Sequence, residues 1–269
     1  MNEAENGRFS GVARLYGADS LARLRRAHVC VVGVGGVGSW TVEALARSGI
    51  GAMTLVDLDE ICVTNINRQI HALDATVGRA KVAVMAERVR AINPDCQLTV
   101  VQEFFTEANG ARLLETFAAD SGTGARHVVD AIDGVTNKAL LIALCRQRKL
   151  PLVVCGGAGG RRDATAVRMA DLADASNDRL LTALRRRLRA EHGFPAAGQP
   201  MGVACVYSPE SPVAPDGPAT DCAATALDGP APRLNCDWGY GSAVFVTGVF
   251  GFAAAAQVVR QIAGAPGGG

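Results

Sequence analysis

The sequence predicts a doubly wound α/β fold with a mostly parallel sheet and helices on both faces. Three observations carry this. Apolar runs of strand length alternate with helix-length segments from residue 28 to 155, the first run ends in a Gly-rich turn, and the second ends in an aspartate. Such βαβ alternation builds a parallel sheet whose ligands bind at the carboxyl ends of its strands.

The elements follow in order. His28-Val29-Cys30-Val31-Val32 is apolar after its histidine, as a buried parallel strand over 28–33 requires, and a helix over 37–48 follows the glycines. A strand over 52–57 closes on Asp57, a helix runs from Val77 to Ile92, and a strand spans 97–102. Next come a helix over 107–118, a strand over 127–132, a helix over 136–148 and a strand over 151–155. Asp57 and Asp133 therefore both belong at strand carboxyl ends, converging on one crevice. Beyond 160 a strand is expected at Thr165 to Met169, an arginine-dense helix at Asp178 to Arg189, and a strand at Gly202 to Tyr207. Ser208 to Leu234 then turns rich in Pro and Gly; a loop this long reads as a mobile crossover lid on the substrate side. The apolar run Ala243 to Val259 fits a helix buried against the sheet better than a membrane span, because Gly248, Gly251 and Gln257 interrupt it. The chain reads as a single Rossmann-like domain over 1–269, with a nucleotide core at 27–160 and a substrate and lid part at 161–262.

Composition narrows the function. A formal net charge of +1 and a pI near 7.6 exclude a globally basic nucleic-acid binder, so any RNA contact rests on a local patch such as Arg185-Arg186-Arg187, Arg189 and Arg161-Arg162. The eight cysteines contain no C-x-x-C pair, so the usual zinc spacing is missing and no zinc is expected. Cys30, Cys62, Cys145 and Cys155 read as small core residues in a reducing cytoplasm. Met1 to Phe9 lacks a signal-peptide pattern, which places the chain in the cytoplasm with peripheral membrane association left open. The Gly267-Gly268-Gly269 terminus reads as a frayed end.

The chemistry concentrates between residues 28 and 81. Gly33, Gly35, Gly36 and Gly38 let backbone amides approach a polyphosphate at a helix amino terminus, and Asp57 can accept ribose hydroxyls. This much fits any dinucleotide or adenylate binder. Asn65, Arg68, Gln69 and Lys81 then add a guanidinium fork and a point charge, which suit phosphate oxygens and have no use in hydride transfer. Asn65 and Gln69 either hold the arginine or bond the phosphates themselves.

Gly33-x-Gly35-Gly36-x-Gly38, Asp57-Leu58-Asp59, Asn65-x-x-Arg68-Gln69, Lys81 and Asp130-Ala131-Ile132-Asp133 resemble the adenylation domain of the ubiquitin-activating-enzyme superfamily, which includes ThiF and MoeB. Ala13-Arg14-Leu15-Tyr16-Gly17, Val63-Thr64-Asn65, Asn67 to Leu73 and Gly156-Gly157-Ala158-Gly159-Gly160 are similar, within it, to the tRNA threonylcarbamoyladenosine dehydratases. The similarity runs from about residue 8 to 262, and Ala164 stands where that family places Pro. The resemblance implies ATP and Mg²⁺ as cofactors, with Asp133 as the magnesium ligand and Asp59 in the nucleotide site; a helix cap is the alternative role for Asp133. It implies a homodimer in which Arg14 crosses to the partner's phosphates, and it makes Arg68, Lys81, Arg14 and Asp133 the catalytic set. It leaves room for a monovalent cation, Na⁺ or K⁺, and for a cysteine-desulfurase sulfur-acceptor partner.

The implied reaction is adenylation of the threonyl carboxylate of threonylcarbamoyladenosine in tRNA, followed by ring closure with loss of AMP. The tethered carbamoyl group is the nucleophile, so no enzyme thiol is needed. Cys222 and Cys236 nevertheless fall in or beside the expected lid, where ubiquitin-activating relatives keep a thioester cysteine. Three other readings remain: an adenylyltransferase for the C-terminal glycine of a ubiquitin-like sulfur carrier, a nicotinamide-binding protein, and an interaction module of a sulfur-transfer system.

Overall fold

The computed structural model describes residues 7–119, 124–214 and 240–264. Helices α1 (Ser10–Tyr16) and α2 (Ala18–Arg26) lead into β1 (His28–Val32), α3 (Gly38–Arg47), β2 (Ala52–Val56), α4 (Lys81–Ile92) and β3 (Gln97–Val101). Then follow α5 (Gly110–Ala119), β4 (Arg126–Asp130), α6 (Val135–Gln147), β5 (Leu152–Cys155), β6 (Arg168–Asp171), α7 (Arg179–His192), β7 (Ala204–Tyr207) and α8 (Val244–Ala263). One seven-stranded sheet runs β3-β2-β1-β4-β5-β7-β6, parallel except for the β6–β7 pair. The strand order reverses between β1 and β4, and a crevice opens there at the carboxyl ends of the strands.

The apolar strands fill because both faces are covered. Val29 and Val31 of β1 pack with Met53 and Leu55 under α3, α4 and α8, through Val42, Leu45, Met85 and Phe250. Cys30 and Val32 point the other way and meet Val56, Phe117 and Leu141 under α5 and α6. Leu181, Leu184 and Leu188 seat α7 against Ala139 and Ile142 of α6. α8 is long and apolar enough to span a membrane by length and composition, yet Val246, Phe250, Ala254, Val258 and Ile262 are buried in the sheet core.

Several boundaries differ from the sequence expectation. The helix expected from Val77 begins at Lys81, because Gly78 holds a φ of +83° and its amide donates to the Ile61 carbonyl while the Ile61 amide donates to the Arg79 carbonyl, around a Glu60–Ala80 bridge. The strand expected at Thr165 to Met169 is a single 3-10 turn, Ala164–Ala166, followed by β6. That turn forms without proline: the Asp163 carboxylate accepts the Thr165 amide at 2.8 Å and fixes it. β4 ends at Asp130, so Asp133 lies three residues past the strand rather than at its end. The lid expected over Ser208 to Leu234 lies, from residue 215 on, outside the described residues, as do Cys222, Cys236 and the Gly267-Gly268-Gly269 terminus.

Candidate functional site

The glycine turn is shaped by close backbone approach. A Cβ on Gly38 would lie 1.8 Å from the Gly33 carbonyl oxygen, and one on Gly33, at φ +88°, would lie 2.7 Å from the Ala131 carbonyl oxygen. The turn therefore sits directly against the strand that leads to Asp133. Two side chains clamp its second residue. The Val34 amide donates to Asp57 Oδ2 at 2.6 Å, and the Val34 carbonyl accepts from His71 Nε2 at 2.8 Å. Asp57 is buried and also accepts the Asp59 amide at 2.9 Å. Burial raises its carboxyl above the ordinary range, with Lys81 and the two amides pulling the other way. Burial pushes His71 down to about 4, so its ring is neutral near pH 7 and donates through Nε2.

The cations do not stand free. Lys81, the first residue of α4, is buried and places Nζ 2.8 Å from Asp59 Oδ2, while the Asp59 side chain keeps 49% of its exposure. Asp59, expected as a nucleotide contact, is thus the partner that aims the lysine. Arg68 lays its Cγ and Cδ over Gly36, 3.7 and 3.8 Å from where a Cβ would stand there. Its Nη1 donates to the Thr64 carbonyl at 2.5 Å and to Asn67 Oδ1 at 3.1 Å. The Arg68 carbonyl is pinned by Trp40 Nε1 of α3 and Thr247 Oγ1 of α8. Asn65 is buried; its carbonyl accepts the Arg68 and Gln69 amides and its Oδ1 accepts the Cys62 amide. It therefore holds the arginine's backbone in place. Gln69 is buried beside Gly35, and its Oε1 has no partner among the described residues.

Asp133 is exposed and makes no side-chain hydrogen bond among the described residues. The cap position of α6 is Gly134, with no side-chain cap bond, so Asp133 is not the helix cap. Mg²⁺ takes one or two carboxylates and completes its shell with phosphate and water oxygens. A lone, unengaged carboxylate suits that mode. No cluster of three potential metal ligands occurs among the described residues.

The sequence reading missed the pair beneath Asp133. Lys138 and Asp130 are both fully buried, 3.0 Å apart, and Lys138 Nζ also donates to the Ile132 carbonyl at 2.9 Å. Asp130 Oδ1 accepts the Ile132 amide, and Oδ2 has no partner among the described residues. The pair thus staples the loop that delivers Asp133. Its signal was present: Lys138 stands with Val135, Ala139 and Ile142 at inward helical spacing, where a lysine demands a buried partner. His71 had no such signal, since its acceptor is a distant backbone carbonyl.

Other expected residues lie elsewhere. Arg14 is exposed on α1, which packs through Phe9 against Gly49 at the amino edge of β2, away from the glycine turn at the carboxyl edge. Arg161, expected on a basic surface, is buried; Nη2 donates to the Asn177 carbonyl at 2.7 Å and lies 4.0 Å from Asp178 Oδ2. The α7 arginines do not form one face either. Arg185 bonds the Leu172 and Ala175 carbonyls, Arg187 bonds Thr136 and Glu191, Arg189 bonds the Pro195 carbonyl, and Arg186 is exposed. Helical spacing spreads consecutive residues around the axis, which is why a run of arginines cannot share one side. Arg162 is exposed, with its amide held by Glu210. Cys30, Cys145 and Cys155 are buried thiols, and burial raises each, Cys30 and Cys155 to about 12. Cys62 is half-buried. A groove of about 920 Å³ lies against β1 to β3 under α5, and none of the clustered site residues lines it.

The chain is 48% identical to the tRNA threonylcarbamoyladenosine dehydratase of Escherichia coli K12 over 263 residues, 97% of this chain and 96% of that protein. It is 43% identical to the Haemophilus influenzae dehydratase of the same name over 256 residues, 95% of this chain and 93% of that protein. The crystal structure of the E. coli enzyme, TcdA, in complex with ATP superposes with a TM-score of 0.83 at 45% identity, covering 97% of this chain and 96% of that one. Residues 10–268 match the model of the ThiF family, and the chain belongs to that family.

Proposed function

We propose that this chain catalyses ATP-dependent dehydration of threonylcarbamoyladenosine in tRNA, giving the cyclic form. The observation that carries the reading is the clamped glycine turn at the switch point, with Arg68 lying over it and Lys81 aimed by Asp59. The substrate carboxylate attacks the ATP α-phosphate and diphosphate leaves. The tethered carbamoyl group then attacks the acyl carbon, loses a proton, closes a five-membered ring and expels AMP. Adenylation is mainly a matter of positioning and charge, so Arg68 and Lys81 stabilise the phosphate-centred transition state while the turn's amides orient the polyphosphate. Asp133 is the residue that would hold Mg²⁺, which screens phosphate charge when bound.

In this reading two copies associate so that Arg14 reaches the partner's phosphates, and tRNA engages Arg162 and Arg186. Arg161 leaves the proposed tRNA surface because it is buried. A monovalent cation and a sulfur-acceptor partner belong to the same proposal. The test is incubation with ATP, Mg²⁺ and threonylcarbamoylated tRNA, followed by nucleoside mass analysis. A mass loss of one water supports the reading; diphosphate exchange that depends on a ubiquitin-like carrier, with unmodified nucleoside mass, replaces it with carrier adenylation. Arg68→Ala and Lys81→Ala are each expected to abolish the product while the far-ultraviolet circular dichroism stays unchanged, and full turnover in both would remove the phosphate clamp.

A further inference from the structure

The loop after β5 is bolted to the amino terminus of α7 by one carboxylate. Asp178 Oδ1 accepts the Leu181 amide at 2.9 Å, capping the helix, while Oδ2 accepts the Gly157 amide at 2.8 Å. The fit is tight: a Cβ on Gly156 would stand 2.5 Å from Asp178 Oδ2 and 2.9 Å from Leu181 Cδ1. Arg161, at the far end of the same loop, lies 4.0 Å from that oxygen, and both side chains are 2% exposed. Its Nη2 bonds the Asn177 carbonyl, while Nε and Nη1 are buried without partners among the described residues. Burying a guanidinium so incompletely satisfied is costly, and a fold sustains it where the charge is needed. Here it faces the one carboxylate that joins loop and helix. Asn177, held at φ +52° with Nδ2 on the Pro209 carbonyl at 2.6 Å, ties the joint to the end of β7.

We propose that Asp178 and Arg161 are positioning residues that fix the Gly156 to Gly160 loop as the wall of the crevice on the substrate side. The loop leaves the carboxyl end of β5, which neighbours β4 and the Asp130 to Asp133 segment, whereas the glycine turn and its clamps lie on β1 and β2. Binding of the tRNA substrate depends on this joint; binding of ATP does not. The proposal rests on the dehydratase reading for its substrate, but not for its geometry.

The experiment uses the full chain with Asp178→Ala, Asp178→Asn, Arg161→Met and Arg161→Lys. In Asp178→Ala and Arg161→Met the KM for threonylcarbamoylated tRNA is expected to rise about tenfold or more, with ATP affinity, measured by calorimetry without tRNA, within about twofold of the parent. Asp178→Asn, which keeps one acceptor oxygen and puts an NH2 donor where the other stood, should be intermediate, and Arg161→Lys should recover part of the loss. ATP affinity falling in step with tRNA affinity, or an unchanged KM in both severe variants, overturns the proposal. Hydrogen exchange gives a readout that needs no turnover: the Gly157 amide should lose protection in Asp178→Ala while the Val34 amide keeps it. Equal Gly157 protection in parent and variant overturns the proposal even if the parent acts on another substrate, and a parent without tRNA-dependent AMP release sinks the dehydratase reading alone.

Discussion

At the scale of single residues, most polar groups around the site already hold partners, and two sets of them make measurable predictions. His71 titrates at about 4 in the fold instead of its ordinary 6.5, because burial disfavours the charged ring. The unfolded chain therefore binds more protons between those values, so stability rises with pH across the window and is lost on acidification from about 6.5 to 4. The difference corresponds to roughly 3 kcal/mol at about 1.4 kcal/mol per unit. His127, buried in β4 and also lowered to about 4, adds a second loss in the same window. His71→Gln keeps an N–H donor for the Val34 carbonyl and removes the titration. Urea melts at pH 7 and pH 4.5 should show roughly half the acid-dependent loss of the parent, and an unchanged slope would place the proton elsewhere. The Asp130–Lys138 pair makes the stronger demand, because both members are fully buried. Lys138→Met leaves an uncompensated carboxylate and is expected to destabilise the fold by roughly 3–5 kcal/mol, with Asp130→Asn in the same chain restoring part of it. A single variant that melts like the parent would mean that Asp130 is not held as a carboxylate by this pair.

At the scale of elements, the sequence disclosed what periodicity and turn chemistry control. The buried strands β1, β2, β4 and β5 were legible because short, valine-rich and largely apolar stretches between turn signals have few other homes in a doubly wound sheet. The start of α4 was not, because it is set by pairing between residues 59–61 and 78–81, a tertiary contact that propensity does not encode. β6 was misplaced for the same reason: its register comes from antiparallel pairing with β7. Arg68, Lys81 and the glycine turn stand out in the sequence as a candidate site because each residue type has few other uses in that spacing. Their tethers were not, since Thr64, Asn67 and the Val34 carbonyl are ordinary residues made important by position. The turn itself supplies the element-scale prediction. Gly38→Ala must push the helix amino terminus off the Gly33 carbonyl, so ATP affinity should fall at least roughly tenfold, about 1.4 kcal/mol, in calorimetric titration. Parent-like affinity would show that the turn opens without cost and does not form the phosphate seat.

For the whole molecule, Arg14 poses the problem that the single chain leaves open. Its helix rests against Gly49 at the amino edge of the sheet, whereas the glycine turn, Arg68 and Lys81 occupy the carboxyl edge. The two edges are a five-residue strand apart, roughly 16 Å at about 3.3 Å per residue and more than an arginine side chain spans, so a catalytic role for Arg14 requires a second copy that brings its amino-terminal helix to the neighbour's crevice. A two-fold pair makes such exchange reciprocal, each copy completing the other's site. This geometry distinguishes a shared site from two independent ones by complementation. Arg14→Ala and Arg68→Ala are each expected to be inactive alone. When the two are mixed, unfolded and refolded together, the mixed dimers contain one site with both arginines intact. Random pairing makes half the dimers mixed and one of their two sites whole, so activity should return to about a quarter of the parent value per chain. Recovery at that level places Arg14 across the interface. An inactive mixture whose mixed dimers are verified by native mass spectrometry would remove Arg14 from the reaction, and an active Arg14→Ala variant alone would make the amino-terminal helices a packing element of the α2 and α8 layer.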